Sequence, residues 1–120
     1  MAHSTATLGA LERALMDALW DADGKRTAYE LQEVLGDGAP AVTTVLTVLG
    51  RLEKKGFVTV ERRSRPHHYE PTAARADYMA ELMHQVLVDG SDHQAVLERF
   101  VGGVSPADAE TLRHLLQPRA

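Results

Sequence analysis

The chain has 120 residues, 44% of them hydrophobic and 25% charged, the composition of one ordinary globular domain or of one small domain with an appendage. It contains no cysteine, which excludes disulfides, thiolate metal sites, iron–sulfur clusters and cysteine nucleophiles, and no apolar run approaches the length of a membrane span. The net charge of −4 argues at first against a polyanionic partner, but from Arg51 to His68 six Lys or Arg stand against two Glu, while acids gather around Asp17, Asp21 and Asp23 and in the tail.

Met1 to Thr7 is small and polar and reads as a frayed end without the charged and apolar regions of a signal peptide, so the expected location is cytoplasmic. Leu8 to Trp20 reads as the first helix, with Leu8, Leu11, Leu15, Leu19 and Trp20 as a wide apolar stripe. After a turn at Asp21 to Lys25, Thr27-Ala28-Tyr29-Glu30 has the form of a capping box, which starts a second helix running to about Leu35. A short extended stretch near Lys25 to Thr27 is a candidate third strand for the hairpin further on. Gly36 to Pro40 is the next turn.

Ala41 to Gly56 reads as a recognition helix. Val45, Val48, Leu49 and Leu52 recur at the spacing of one helical face, which leaves Thr43, Thr47, Gly50, Arg51 and Lys54 on the other. That free face is poor in helix formers: Thr43, Thr44 and Thr47 are β-branched, and Gly50 costs about 1 kcal/mol relative to alanine. Short side chains let a helix approach a grooved partner closely, threonine can touch a thymine methyl or a phosphate, and Arg51 can reach guanine or a phosphate. Lys54 and Lys55 place cations at the negative end of the helix, and Gly56 suits a left-handed cap. Phe57 to Glu61 and His67 to Pro71 then read as two strands around a basic tip with Arg62, Arg63 and Arg65. Helix, helix, recognition helix and basic hairpin in that order outline a winged helix bound to DNA.

From Pro71 onward the pattern is helical. Ala73 to Val88 carries Tyr78, Leu82, Met83, Val86 and Leu87. A Gly90-Ser91-Asp92 break precedes a helix with Val96, Leu97, Phe100 and Val101. Ser105-Pro106 starts a last helix with Leu112, Leu115 and Leu116. A tail this short buries too little apolar surface by itself, so Tyr78, Leu82, Met83, Val86, Leu97, Phe100, Leu112 and Leu116 are candidates for a homodimer interface. The expected fold is therefore mainly α: a winged helix-turn-helix in residues 1–71 and a helical dimerisation region in residues 72–120. The expected DNA-binding set is Thr43, Thr44, Thr47, Arg51, Lys54, Lys55, Arg62, Arg63, Arg65 and His67.

Two other classes compete with the repressor reading. A winged helix can serve as a protein-interaction module, which predicts no salt-dependent DNA binding. A histidine-based enzyme or metal site finds little support. His67 and His68 alternate across a strand, His84, His93 and His114 show no ligand spacing, and no Ser-His-Asp pattern, phosphate loop or carboxylate pair stands out. The chain reads as a non-enzyme without cofactor or metal.

Leu8-Gly9-Ala10-Leu11-Glu12 with Leu19-Trp20, the run Thr43-Thr44-Val45-Leu46-Thr47-Val48-Leu49-Gly50-Arg51-Leu52-Glu53-Lys54-Lys55-Gly56, and the wing ending His68-Tyr69-Glu70-Pro71 together resemble the penicillinase repressor family (BlaI/MecI, with the related CopY copper repressors). The resemblance spans most of the chain. It implies an N-terminal winged helix, a helical dimerisation region, and repression from inverted-repeat operators with TACA and TGTA half-sites. In staphylococcal members a membrane sensor-protease cleaves an Asn-Phe bond in the dimerisation region. The corresponding place here is Phe100-Val101, with Arg99 where those members have Asn, so a regulatory protease acting near Arg99-Phe100 would depart from that pattern. The copper branch carries a C-terminal cysteine motif that this chain lacks.

Overall fold

The structure is a computed structural model and describes residues 8–118, so the segment read as a frayed end lies outside the described residues. Along the chain run α1 (Ala10–Asp21), β1 (Arg26–Thr27), α2 (Ala28–Leu35), α3 (Val42–Lys54), β2 (Val58–Glu61), β3 (His68–Pro71), α4 (Arg75–Asp89), α5 (His93–Gly103) and α6 (Pro106–Leu116). The fold is mainly helical with one small antiparallel sheet, a winged helix followed by a helical region. Two compact units divide between Met83 and His84, inside α4.

In the first unit, the core is built from the stripes that helical periodicity selects. Leu15, Met16 and Leu19 of α1, Ala28 and Leu31 of α2, Val45, Val48, Leu49 and Leu52 of α3, and Val58 and Tyr69 of the sheet are all buried in one cluster. A fully buried side chain of this kind contributes about 1.5–3 kcal/mol relative to exposure, so the direction each helix faces is strongly determined. Helix α2 starts as its sequence dictates: the Thr27 hydroxyl accepts from Glu30 N–H at 3.1 Å and the Glu30 carboxylate accepts from Thr27 N–H at 2.8 Å. The turn into α3 passes through Gly36 and Gly38 at φ of 75° and 81°, with the Gln32 amide donating to the Pro40 carbonyl.

The extended stretch before α2 does join the wing. Strand β1 pairs with β3, Arg26 opposite Tyr69 and Thr27 opposite His68, and β3 pairs in turn with β2, giving the order β1-β3-β2. Helix α3 ends in a Schellman arrangement. Gly56 at φ 86° donates to the Glu53 carbonyl, and Phe57 N–H donates to the Leu52 carbonyl at 2.9 Å, which turns the chain directly into β2.

One charge sits among the apolar stripes. Glu12, only 8% exposed, accepts from Gly9 N–H at 2.9 Å, so α1 begins at Ala10 rather than at Leu8. Both of its carboxylate oxygens also accept from Lys55 Nζ, at 2.9 and 2.8 Å. The Lys55 ammonium and the Gly9 amide hold the Glu12 carboxyl below the usual carboxylate range, against the opposing pull of burial. The pair ties the start of α1 to the end of α3, 43 residues away.

The first turns of α4 belong to this unit as well. Tyr78, 7% exposed, meets Trp20 at 5.6 Å and Phe57 edge-on at 5.4 Å between ring centroids. The Trp20 indole N–H donates to the Ala73 carbonyl, and Arg75 lies over the Trp20 ring while reaching Asp21 at 2.9 Å. Tyr78, expected at contact with a second chain, is engaged within its own, where its ring meets those of Trp20 and Phe57.

The second unit has a different character. Asp92 caps α5 by accepting from Ala95 N–H, and Ser105 caps α6 by accepting from Asp108 N–H, with Pro106 in the first turn. Among its described residues no side chain is buried. Met83 at the boundary and Val86, Val88, Leu97, Phe100, Val101, Leu115 and Leu116 are exposed, while Leu82 and Leu112 are half-buried.

Replacing Glu12 by Gln removes the charge that accepts two bonds from Lys55 and one from Gly9 N–H, and is expected to lower unfolding stability at neutral pH by about 1–3 kcal/mol. Because the folded state depresses the Glu12 pKa, its contribution is complete above the ordinary carboxylate range and is lost as pH falls through the folded value. Urea unfolding of both proteins from pH 7 downward should therefore show a gap that closes in acid. A gap of constant size would exclude the ion pair as its source.

Candidate nucleic-acid interface

Burying Val45, Val48, Leu49 and Leu52 leaves Thr43, Thr44, Thr47, Gly50, Arg51 and Lys54 exposed on the remaining surface of α3. These six are brought together as the sequence suggests. The Thr47 hydroxyl donates to the Thr43 carbonyl at 3.0 Å, which satisfies its hydrogen within the helix. A Cβ placed on Gly50 would meet nothing within 4 Å, so no packing within the protein requires glycine there. Helix α3 has no side-chain cap and no acid in its first turn, which leaves its positive end open.

Leu46 is a further member of this face. It is 41% exposed, three residues after Thr43 and four before Gly50, and so lies in the frame of the free face rather than the buried stripe. Its spacing carried that signal, but a leucine in an apolar helix is ordinarily assigned to the core. On a groove-facing surface it offers a methyl-rich contact for thymine.

The basic residues divide into two groups. Lys55 is not placed as the backbone contact its sequence position suggests, since its ammonium is held by Glu12. Arg62 is also engaged: its guanidinium donates to both oxygens of Glu53, at 2.7 and 2.9 Å, which lowers the Glu53 pKa and raises that of Arg62. Arg63 stands 93% exposed at the wing tip with a long 3.5 Å contact to Glu61. Among the described residues Arg51, Lys54 and Arg65 have no ion-pair partner. His67 is half-buried beside the tip.

The tip itself is braced. The Ser64 hydroxyl lies 3.2 Å from the Pro66 carbonyl, to which it donates, and 3.0 Å from His68 Nδ1, while Arg63 N–H donates to Glu61. Strand pairing from Val58 opposite Pro71 to Glu61 opposite His68 carries this tip outward from the C-terminal end of α3. A close-approach helix face and a braced cationic tip lie on one unit, with unpaired cations at both. No group of His, Asp or Glu suited to hold a metal occurs among the described residues.

Residues 8–118 match the family described as penicillinase repressor. The chain is 41% identical over 113 residues to the Transcriptional regulator BlaI of Mycobacterium tuberculosis, in two strains, a match that covers 91% of this chain and 82% of the relative.

Gly50→Ala separates folding from binding. Open space at the Cβ and the helical backbone predict a gain in unfolding stability of up to about 1 kcal/mol. On DNA, the added methyl on a surface that approaches the groove is expected to weaken binding. Paired urea unfolding and DNA titration test this, and tighter or unchanged binding would show that position 50 does not face the groove.

Proposed function

The chain belongs to the penicillinase repressor family, and on that premise we propose that this transcriptional repressor works as a homodimer, each protomer laying α3 in the major groove of an inverted-repeat operator with TACA and TGTA half-sites. The observation that carries the reading is the free face of α3, where threonines, an uncontacted glycine and two unpaired cations stand where a solvent-facing helix would keep good helix formers.

In this reading Thr43, Thr44, Leu46 and Thr47 meet base edges and thymine methyls, and Arg51 reaches a base or a neighbouring phosphate. Lys54, Arg63, Arg65 and His67 hold the backbone. Lys55 and Arg62 act at one remove, through the glutamates that hold them. The acidic remainder of the protein repels DNA and so favours a single orientation of approach.

A second copy of the chain is the proposed occupant of the apolar surface in the tail. Val86, Leu97, Phe100, Leu112 and Leu116 supply it, in a unit that buries no described side chain of its own and has no disulfide to hold it, and Leu82 and Met83, the last residues of the first unit, are proposed to join them. Two recognition helices about 34 Å apart then read half-sites one helical turn apart. A protease acting near Arg99-Phe100 would meet that bond in the middle of α5, where cutting requires local unwinding. No helix of the described residues is long and apolar enough to cross a membrane, and we place the repressor with its DNA in the cytoplasm.

Fluorescence anisotropy on a TACA/TGTA inverted repeat and on a scrambled duplex, over a salt series, tests the reading. Preference for the repeat with two chains per duplex is expected, and binding to neither duplex would instead favour a protein-interaction module. Arg51→Ala should cost about 1–3 kcal/mol on the repeat and relax selection at one position, whereas Arg65→Ala should weaken both duplexes alike and reduce the salt slope by about one unit. Phe100→Glu is expected to shift the protein to monomer in sedimentation and to abolish two-chain binding.

A further inference from the structure

Glu53 is an acid in the last two turns of the DNA-facing helix, a position where its charge should oppose binding. Arg62, at the base of the wing, is one of six cations in the basic stretch. The two meet end-on, with both terminal guanidinium nitrogens on both carboxylate oxygens, at 2.7 and 2.9 Å. This paired-fork geometry is the strongest arrangement open to these groups, and it engages the edge of Arg62 that a phosphate would otherwise take. The other exposed pairs of the wing are looser: Arg63 and Lys25 lie 3.5 and 3.8 Å from Glu61. Among the described residues Arg62 is thus the wing cation with the most completely engaged guanidinium.

Every free cation beside the groove strengthens binding to all sequences, because phosphate contact and counterion release carry no sequence information. Withholding one therefore lowers affinity for every duplex alike and makes binding less steeply dependent on salt. Resting on the DNA-binding reading above, we propose that Glu53 is a positioning residue that limits the sequence-independent affinity for DNA by acting through Arg62: the two side chains enter the DNA complex as one neutral unit, and Arg62 is kept from phosphate contact. Glu53 positions Arg62 and does not itself touch DNA. Because both side chains lie at the surface, the pair adds little to folding stability, and its removal leaves a folded protein to measure.

The test is anisotropy of the full chain on inverted-repeat and random duplexes over a salt series, for wild type, Glu53→Gln, Glu53→Ala and the double variant Glu53→Gln/Arg62→Gln. Either single change should tighten binding to both duplexes several-fold at low salt. It should also steepen the slope of log K against log salt by about 0.9 per bound protomer, with the repeat-to-random ratio little changed. The double variant should return to the wild-type slope. An unchanged slope in both single variants would overturn the proposal, as would a double variant with a shallower slope than wild type, which would mean that Arg62 already touches phosphate while held by Glu53. Wild type binding neither duplex would overturn the DNA-binding reading itself, whereas a wild-type preference for the repeat with unaltered slopes in the variants sinks only the role of Glu53.

Discussion

The structure depends on the burial of one stripe of α3. Val45, Val48, Leu49 and Leu52 are each almost wholly removed from water against α1, α2 and the sheet. A rotation of α3 by even a third of a turn would exchange several of these contacts for threonine and arginine, at about 1.5–3 kcal/mol for each side chain exposed. The core therefore determines which residues are presented outward, and the outward face is assembled without any direct bond that orients it. The same logic continues past the helix end. Gly56 takes the left-handed conformation, Phe57 donates back to Leu52, and the chain enters β2 with no residues to spare. The helix and the wing are thereby built as neighbours.

Charge is organised at two levels. Across the whole chain acids outnumber bases, 17 to 13, so attraction to a polyanion must be local. Within the basic stretch, glutamates then sort the cations. Glu12, itself buried, takes Lys55 into a part-buried pair that belongs to folding, and Glu53 takes Arg62 into an exposed pair. Arg51, Lys54 and Arg65 are left without such partners among the described residues. Counting basic residues in this stretch thus overstates the charge offered to a phosphate backbone, and geometry decides which cations remain available.

The first turns of α4 show how a helix outside the winged helix becomes part of the same unit. Trp20, Phe57 and Tyr78 close on one another, Arg13 and Arg75 lie against the rings, and Arg75 pairs with the α1 acids. Beyond Met83 the chain changes character, since its helices are capped by Asp92 and Ser105 yet leave their large apolar side chains in water. Capping determines where such helices start, but it does not supply the apolar burial that holds a unit together. That missing burial is the physical ground for proposing a second copy as the partner of this surface.

The features legible in the sequence by itself were those whose cause is local. The two faces of α3 follow from a 3.6-residue period. The start of α2 follows from Thr27 and Glu30 three residues apart, the end of α3 from Gly56, and the last helix from Ser105-Pro106. The family resemblance rested on the same stretches. What only the tertiary structure decided were relations between residues far apart in the chain: Lys55 on Glu12, Arg62 on Glu53, Tyr78 against Trp20 and Phe57, and β3 rather than β2 as the strand that β1 joins. A side chain's type states what it can bind, whereas the partner it finds depends on which segments the core brings within a few ångströms. Lys55, Arg62 and Tyr78 find partners within the chain for that reason.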